Sequence, residues 1–250
     1  LSSSDNSVTI GSNDYQFSSD SNVSWMEADY DDNADRMVVA WSRYGNGNRH
    51  GNVRTVNESG TGSGASATFG TNYTFNASET QHINVTYHKA AGKTILSYMA
   101  NGDKLWVMVV TVSSNGTMSF GTAVDVTGTA STGSHRMTYD EHNEKLVCIY
   151  SRNNNEYTRV GTVSGTTTTW GSECGPVDDG GPAYNHDIAY DKLSKKIGYI
   201  YRYSSNNIRF KFGQVSGTSV TIGSTHHQVS QSELRLPTLC GWGNKGYFFG

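Results

Sequence analysis

The feature of this sequence that most constrains its fold is a repeat of about fifty residues. One column of the repeat is a tyrosine that recurs at intervals of 57, 52 and 51 residues, as Tyr30, Tyr87, Tyr139 and Tyr190. A second aromatic residue follows eleven positions after each of them, as Trp41, Tyr98, Tyr150 and Tyr201. A repeat of this length that carries four short strands is typical of a β-propeller blade.

We predict that an apolar residue followed by glycine opens the last strand of each repeat. The pair occurs five times, as Ile10-Gly11, Phe69-Gly70, Phe120-Gly121, Trp170-Gly171 and Ile222-Gly223. Segments such as 145–150 and 196–201 are short, rich in β-branched and aromatic residues, and bounded by Gly, Asn or Asp, which favours strands and turns. No segment shows the apolar periodicity of a helix. The sequence therefore predicts an all-β protein.

The repeat predicts a single β-propeller domain, 1–250, with five blades of mostly four antiparallel strands. Four units cover residues 23–79, 80–131, 132–181 and 182–233. Residues 234–250 and 1–22 would supply the inner strands and the outermost strand of the fifth blade, so that the two chain ends close the ring together.

The fifth blade is incomplete, because only residues 1–4 could supply its third strand. Either this blade is short, or its third strand comes from outside the chain, by strand addition from a second copy or from another subunit. The first unit also carries a Gly/Ser-rich insertion, 59–67, which we expect on the rim.

Composition argues against two classes of partner. The formal net charge is −3 with no basic run, so the footprint of a nucleic-acid-binding protein is missing. No apolar stretch approaches the roughly 18 residues of a membrane-spanning helix. The three cysteines, Cys148, Cys174 and Cys240, fall on different predicted strands, and we expect free thiols. The sequence predicts no cofactor.

Two units carry a motif that resembles repeats of marine and cyanobacterial phage tail-fibre proteins and of large bacterial surface proteins. The matching residues are Tyr139-Asp140, 145–150, Arg152 and 161–166 in the third unit, and Tyr190-Asp191, 196–202 and 213–218 in the fourth. The second unit departs from the motif, since His88 replaces the aspartate. The resemblance implies an extracellular, propeller-like module of a fibre or adhesin, and it supplies no catalytic residues.

A five-bladed glycoside hydrolase is the alternative from another functional class. Such enzymes use two carboxylates roughly 5 to 9.5 Å apart, and the acids on predicted first strands are Glu27, Asp29 and Asp187. A second set of acids directly follows the tyrosine column and should bond to backbone N–H groups of the first turn: Asp31, Asp140 and Asp191. Catalytic acids should break the repeat, whereas these follow it, so we predict no enzyme.

Histidines form a further column, four or five residues before the tyrosines: His82, His135 and His186. On first strands they would point near the central channel, where a ring of imidazoles would suit a metal or an anion. Repetition of the fold explains this column without a ligand, so we predict no metal.

Glycan binding is the functional candidate that the rim loops favour, because sugars stack on aromatic rings and need planar polar partners. Two loop sets, those that lead into first strands and those that follow second strands, should share one face. Their candidate residues are Tyr15, Phe17, Arg43, Tyr44, Tyr73, Arg152, Tyr184, Asn185, Arg202, Tyr203 and His226. The structural alternative is that these aromatics wedge between blades and that the arginines pair with nearby aspartates.

Glycosylation sequons occur at Asn22, Asn57, Asn72, Asn76, Asn84 and Asn115. A glycan on Asn84 would be hard to place, because this residue lies in a predicted first strand. The sequence as a whole predicts a non-enzymatic extracellular propeller that serves as a structural or adhesive fibre module, whose partners are copies of itself, other fibre subunits, or extracellular glycans. The alternative within binding proteins is a lectin-like receptor-binding domain.

Overall fold

The structure, a computed structural model, describes residues 14–20, 22–45, 47–60, 65–128, 133–178, 185–204, 207–230, 238–242 and 246–249. These residues form four antiparallel sheets of four or five strands and one two-stranded sheet, and they contain no α-helix. The predicted all-β class is therefore confirmed. Residues 14–20, part of the segment expected to supply the outermost strand of the fifth blade, form no strand. Residues 1–13 lie outside the described residues, as does part of the 59–67 insertion.

The first sheet is a four-stranded meander with one short strand added. Strands β1 to β4 pair in chain order, and β5 pairs with β3 beside the end of β4. The strands are β1 (Val23–Asp31), β2 (Arg36–Gly45), β3 (Asn48–Ser59), β4 (Ser66–Phe69) and β5 (Tyr73–Asn76).

The second sheet repeats this arrangement with shorter outer strands. Strand β8 pairs with β7 on one side and with both β9 and β10 on the other. A 3₁₀ turn, Lys89–Ala91, joins the first two strands. The strands are β6 (Gln81–His88), β7 (Lys93–Ala100), β8 (Lys104–Val112), β9 (Met118–Phe120) and β10 (Val124–Asp125).

The third and fourth sheets follow the same plan. The prediction that the apolar-glycine pair opens the last strand is wrong, because the apolar residue ends its strand in all four sheets, as Trp170 does in β14. In the third sheet an isolated bridge between Thr158 and Cys174 stands where the other sheets have their fifth strand. The strands of these two sheets are β11 (His135–Asp140), β12 (Lys145–Arg152), β13 (Asn155–Ser164), β14 (Thr167–Trp170), β15 (His186–Asp191), β16 (Lys196–Ser204), β17 (Asn207–Ser216), β18 (Ser219–Ile222) and β19 (His227–Ser230).

The two-stranded sheet packs beside the fourth sheet. It consists of β20 (Leu239–Trp242) and β21 (Gly246–Phe249), and β20 contacts β15 and β16. The first strands of all the sheets lie next to one another in sequence order, since β6 contacts β1 and β11, and β15 contacts β11 and β20.

Each pair of successive sheets shares a hydrophobic core. Val38 and Val53 of the first sheet pack with Leu96 of the second. Ile95 of the second sheet packs with Leu146 of the third. Further shared cores join the third sheet to the fourth, and the fourth to Leu239 of β20. Burial of such side chains stabilises by about 1.5–3 kcal/mol each, so packing between sheets is a main source of stability.

The turn after each first strand is held by the residue that follows the repeated tyrosine. Asp140 Oδ1 accepts hydrogen bonds from the backbone N–H groups of His142 and Asn143, both at 3.0 Å. Asp31 and Asp191 make the same contacts in their own sheets. In the second sheet His88 replaces the aspartate, and its Nδ1 accepts from Ala91 N–H at 3.2 Å. The predicted structural role of this acid column is confirmed.

Cys148 and Cys174 are free thiols, as expected, and Cys148 is fully buried on β12. The side chain of Cys240 lies outside the described residues.

Candidate functional site

The first strands of the first two sheets each contain a β-bulge at the same place. In β1 the pairing with β2 shifts between Ser24 and Glu27, and in β6 the pairing with β7 shifts between Gln81 and Asn84. The first strands of the third and fourth sheets pair without any shift. The bulges therefore break the repeat, and the residues that they present distinguish two sheets from the others.

The bulges hold two bulky residues in the left-handed region of backbone conformation. Trp25 has a φ of 47° and His82 has a φ of 46°. A residue with a Cβ costs about 1–3 kcal/mol in such a conformation, and strain of this kind concentrates at functional sites. A bulge also redirects a side chain. Here the indole and imidazole rings meet, with their centroids 5.4 Å apart and their planes at 41°.

An arginine from the third strand of the first sheet completes this surface. The Arg49 guanidinium lies 4.7 Å from the Trp25 ring centroid and 5.9 Å from that of Tyr44. Its Nη1 donates to Ser24 Oγ at 2.7 Å, and its backbone N–H donates to Glu79 Oε2 at 3.3 Å. We call these residues the rim cluster: Trp25, Tyr44, Arg49, Glu79 and His82.

The rim cluster brings together the starts of two first strands and the end of a second strand. Trp25 and His82 lie where the chain enters first strands, whereas Tyr44 ends a second strand. Tyr44 is 49% exposed, and Trp25 and His82 are half-buried. The cluster thus offers solvent a half-buried aromatic platform with a cation and a carboxylate beside it.

A second group of polar residues lies one step further along the first strands. These residues occupy the position three before each repeated tyrosine, and we call them the axial column: Glu27, Asn84, Arg136 and Asp187. Arg136 Nε lies 3.9 Å from Asp187 Oδ1. Asp187 also accepts hydrogen bonds from the backbone N–H groups of Leu239 and Ile188, at 2.8 and 2.9 Å. Asp187 therefore ties β15 to β20.

Burial changes the protonation equilibria of this column. Desolvation raises the pKa of Glu27, Arg136 lowers it and Asp187 raises it. Desolvation also raises the pKa of Asp187, although the hydrogen bonds that it accepts from backbone N–H groups lower it. It lowers the pKa of His82, as do the charges of Arg136 and His186. His82 is consequently neutral at pH 7, while the acids are partly withdrawn from water.

A cavity of about 360 Å³ occupies the other end of the first strands. Its lining includes Asp29, Thr86, Thr138, Ala189 and Leu239, which come from the first strands of all five sheets. Asp29 links the first two sheets there, because its Oδ2 accepts from the Tyr87 backbone N–H at 2.7 Å. This acid therefore has a structural partner.

The expectation that the histidine column lines the channel is wrong for two of its members. His135 is fully buried, and its Nε2 lies 2.9 Å from Ser97 Oγ of the second sheet. His186 Nδ1 lies 2.8 Å from Glu156 Oε2, and both side chains are 1% exposed. Neighbouring residues on a strand face opposite sides, so these imidazoles enter the cores between sheets. The described residues contain no cluster of side chains suited to a metal ion.

Several predicted glycan-binding residues have partners within the protein. Arg43 Nη1 lies 3.3 Å from Asp20 Oδ1, and Arg152 pairs with Glu173. Phe17 packs edge-on against Trp41, with centroids 5.2 Å apart. Tyr73 packs in the same way against Phe120, at 5.6 Å. These contacts agree with the structural alternative for the four residues.

The other candidates are more dispersed. Tyr15 is 40% exposed, and the Tyr203 ring lies 3.3 Å from the Arg209 guanidinium carbon. The backbone carbonyl oxygen of Asn185 accepts a hydrogen bond from the backbone N–H of Arg202 at 2.9 Å. His226 precedes β19 and is half-buried, and Tyr184 lies outside the described residues. Of the predicted set, Tyr44 belongs to the rim cluster.

The sequons differ in accessibility. Asn72 and Asn115 are exposed, and Asn115 Oδ1 accepts from Thr117 N–H at 2.9 Å in a turn. Asn22 is exposed with a φ of 55°, whereas Asn57 and Asn76 are half-buried on strands. Asn84 is 9% exposed on β6, which agrees with the expectation that a glycan is hard to place there.

Trp25, Arg49 and Glu79 were missed as candidate site residues. A signal for the bulges existed, because His82 stands five residues before its tyrosine whereas His135 and His186 stand four before theirs. Trp25 also stands five before Tyr30. The extra residue in the first two units is the bulged one.

Among the residues that the structure describes, no helix has the length and apolar character to cross a membrane. No protein-family model matches the chain, and no curated protein matches it either.

Proposed function

We propose that the chain forms a five-bladed β-propeller and acts as a non-enzymatic, extracellular adhesive module that binds glycans at the rim cluster. The fold proposal is supported by the order of the sheets. Each shares a core with the next, and β20 contacts β15 as β15 contacts β11. One cavity is lined by the first strands of all five sheets, as expected around a propeller axis.

The single observation that carries the binding function is the pair of strained bulges. They place Trp25 and His82 against each other and under Arg49, at positions where the third and fourth sheets keep a regular strand. Sugars use such surfaces, because their C–H faces stack on indole rings while their hydroxyl groups bond to planar polar side chains. Extracellular location rests on the resemblance to tail-fibre and surface-protein repeats.

Glycan-array binding tests this function directly. Trp25→Asn is the informative variant, because asparagine tolerates a left-handed backbone and removes the ring. We expect binding to fall at least about tenfold, the effect of losing an interaction of about 1.4 kcal/mol, with a small change in melting temperature. Tyr15→Asn removes an exposed aromatic outside the cluster and should bind normally. Equal binding by Trp25→Asn and the parent would contradict the proposed site. Hydrolysis of the bound glycan would contradict a non-enzymatic role.

A structural role in a fibre is the second candidate, and one exposed face favours it. Met37 of β2 is 42% exposed and Met26 of β1 is 54% exposed. The residues that correspond to Met37 in the next three sheets are 0–1% exposed: Thr94, Leu146 and Ile197. In the proposed ring the last sheet of the same chain covers this face; in a fibre the last sheet of a second copy would cover it.

Molecular mass and electron microscopy separate these two arrangements. A concentration-independent monomer supports the closed ring. Filaments that Met37→Glu disperses would support the fibre, provided that Leu193→Glu, at a residue 65% exposed in a turn, leaves them intact.

A further inference from the structure

The cavity at the end of the first strands away from the rim cluster has the size of a small-molecule site. Its volume of about 360 Å³ lies within the usual range for ligand pockets, about 300–1,000 Å³. We call it the tyrosine cavity, because three repeated tyrosines line it: Tyr87, Tyr139 and Tyr190. It shares no residue with the rim cluster, so glycan binding there does not involve it.

Asp29 places its carboxylate at the wall of the tyrosine cavity. Its Oδ2 accepts a hydrogen bond from the Tyr87 backbone N–H at 2.7 Å, and its Oδ1 accepts one from the Tyr30 backbone N–H at 2.8 Å. Because Asp29 and Tyr87 both line the cavity, these bonds fix the carboxylate between the first strands of two sheets. Each carboxylate oxygen has more than one lone pair, so both oxygens can accept a further hydrogen bond from a ligand.

The other lining residues supply a neutral acceptor and an apolar wall. Thr138 occupies the position of Asp29 in the third sheet, one residue before the repeated tyrosine, and it is half-buried. Its hydroxyl group can accept a hydrogen bond from a ligand. The apolar residues of the lining are Val85, Met137, Ile188, Ala189 and Leu239. A ligand in the cavity can therefore bury carbon atoms while one polar end reaches Asp29.

The lining carries negative charge. Among the described residues that line the cavity, Asp29 has the one charged side chain, and none is Lys, Arg or His. Burial raises the pKa of Asp29, and the charges of Asp32 and Asp31 raise it further, although its backbone hydrogen bonds lower it. Burial also raises the pKa of Tyr87, as do the charges of the same two aspartates. A cationic ligand would offset this negative charge in a site partly removed from water.

An organic ammonium group suits these surroundings better than a metal ion does. Calcium and magnesium ions need several oxygen ligands, whereas the described lining holds a single carboxylate. The N–H groups of a primary ammonium donate in several directions, which matches a carboxylate with a hydroxyl group on the same wall. Its carbon chain can contact the apolar residues.

We propose that the tyrosine cavity binds a small molecule with a primary ammonium group, which donates a charge-assisted hydrogen bond to Asp29 while its carbon chain packs against Met137 and Leu239. This ligand class differs from the glycans proposed for the rim cluster, and the two sites are independent.

Calorimetric titration of the full chain at pH 7 tests the ligand class. The probes are the amines butylamine and putrescine, their neutral counterparts 1-butanol and 1,4-butanediol, and their acidic counterparts butyrate and succinate. We expect at least one amine to bind, and its neutral counterpart to bind at least about tenfold more weakly, because the hydrogen bond to the carboxylate is then no longer formed between two charges. The acidic counterpart should not bind.

Asp29→Asn tests the location of the site, with Asp125→Asn as its matched control. Asp29→Asn should weaken binding of the amine by about tenfold or more, because it removes the charge of the acceptor. Asp125 also accepts two backbone N–H groups, those of Thr127 and Gly128 at 3.1 and 2.8 Å. It lies on β10, at the opposite edge of the second sheet from β6, so its substitution should leave amine binding unchanged.

Circular dichroism melting curves show whether each variant folds. If Asp29→Asn does not fold, Thr138→Ile takes its place, since it removes a hydroxyl acceptor and adds bulk to the cavity wall, and it should weaken amine binding severalfold. The proposal is overturned if no amine binds, if the amines and their neutral counterparts bind equally, or if the folded cavity variant binds the amine like the parent. Equal loss of binding in Asp125→Asn would also overturn it. None of these results bears on glycan binding at the rim cluster.

Discussion

The backbone carbonyl oxygen of Thr166 lies 1.9 Å from the position that a Cβ on Gly121 would occupy. Thr166 belongs to the turn between β13 and β14 of the third sheet, and Gly121 follows β9 of the second sheet. The next pair of sheets repeats the contact, since the carbonyl oxygen of Thr218 lies 2.0 Å from a Cβ built on Gly171. The outer turn of one sheet thus docks on the repeated glycine of the sheet before it.

This docking predicts that Gly121→Ala destabilises the protein. The new methyl group would meet backbone, which cannot move aside as a side chain can, so the two sheets must separate. Overpacking of this kind costs about 1–3 kcal/mol. Urea denaturation of Gly121→Ala should show this loss, whereas Gly45→Ala, where nothing lies within 4 Å of the added Cβ, should unfold like the parent. Equal midpoints for both variants would contradict the docking.

Loss of a hydrogen bond from the repeated tyrosine should reduce stability by less than overpacking at Gly121. Tyr139 Oη accepts a hydrogen bond from the Ala90 backbone N–H of the preceding sheet at 3.2 Å. Tyr139→Phe should therefore cost about 0.5–1.5 kcal/mol, the net worth of a hydrogen bond.

Tyr30 provides the control for that substitution. It is 40% exposed, and its hydroxyl donates to Asp35 of its own sheet. Tyr30→Phe should leave the urea midpoint close to that of the parent. If Tyr139→Phe also leaves the urea midpoint unchanged, the hydrogen bond of the Tyr139 phenol does not contribute to the stability of the packed sheets.

His135 predicts a loss of stability on acidification. Burial lowers the pKa of His135 well below its ordinary value, and the charges of Arg136, His82 and His186 lower it further against the hydrogen bond to Ser97. The unfolded chain takes up this proton near pH 6.5 while the folded chain does not. Stability from this group is therefore complete above pH 6.5 and falls at lower pH, by up to about 1.4 kcal/mol per pH unit.

Unfolding free energies of the parent and of His135→Gln, measured from pH 7.5 to pH 5, check this prediction. Glutamine retains a partner for Ser97 and cannot titrate, so the variant should lose less stability than the parent over this range. His227→Gln, at an exposed position, should keep the slope of the parent. A parent and a His135→Gln variant with identical slopes would show that His135 does not control the acid response.

The cysteines should differ in reactivity. Burial raises the pKa of Cys148 to about 12, and its side chain is 0% exposed. Cys174 is half-buried, with its Sγ 3.4 Å from Ser219 Oγ. Iodoacetamide at pH 8 followed by peptide mapping should find Cys174 alkylated in the folded protein and Cys148 alkylated only after unfolding, because the thiolate is the reactive form. Rapid alkylation of folded Cys148 would contradict its burial.

The sequence by itself determined the all-β class and the turn-capping role of Asp31, Asp140 and Asp191. These features repeat, and each depends on short-range geometry: side-chain alternation along strands and hydrogen bonds within a few residues. The His88 substitution kept the same cap with a different acceptor.

Only the tertiary structure decided which polar residues have partners. Arg43 and Arg152 are paired with acids distant in sequence, and His135 and His186 enter the cores between sheets, because strand register and sheet packing set their surroundings. The bulges at Trp25 and His82 likewise depend on pairing with the neighbouring strand. One extra residue in a repeat indicates that a bulge is present, but it does not determine the geometry of that bulge. The contacts within the rim cluster therefore depend on how the first two sheets lie beside each other.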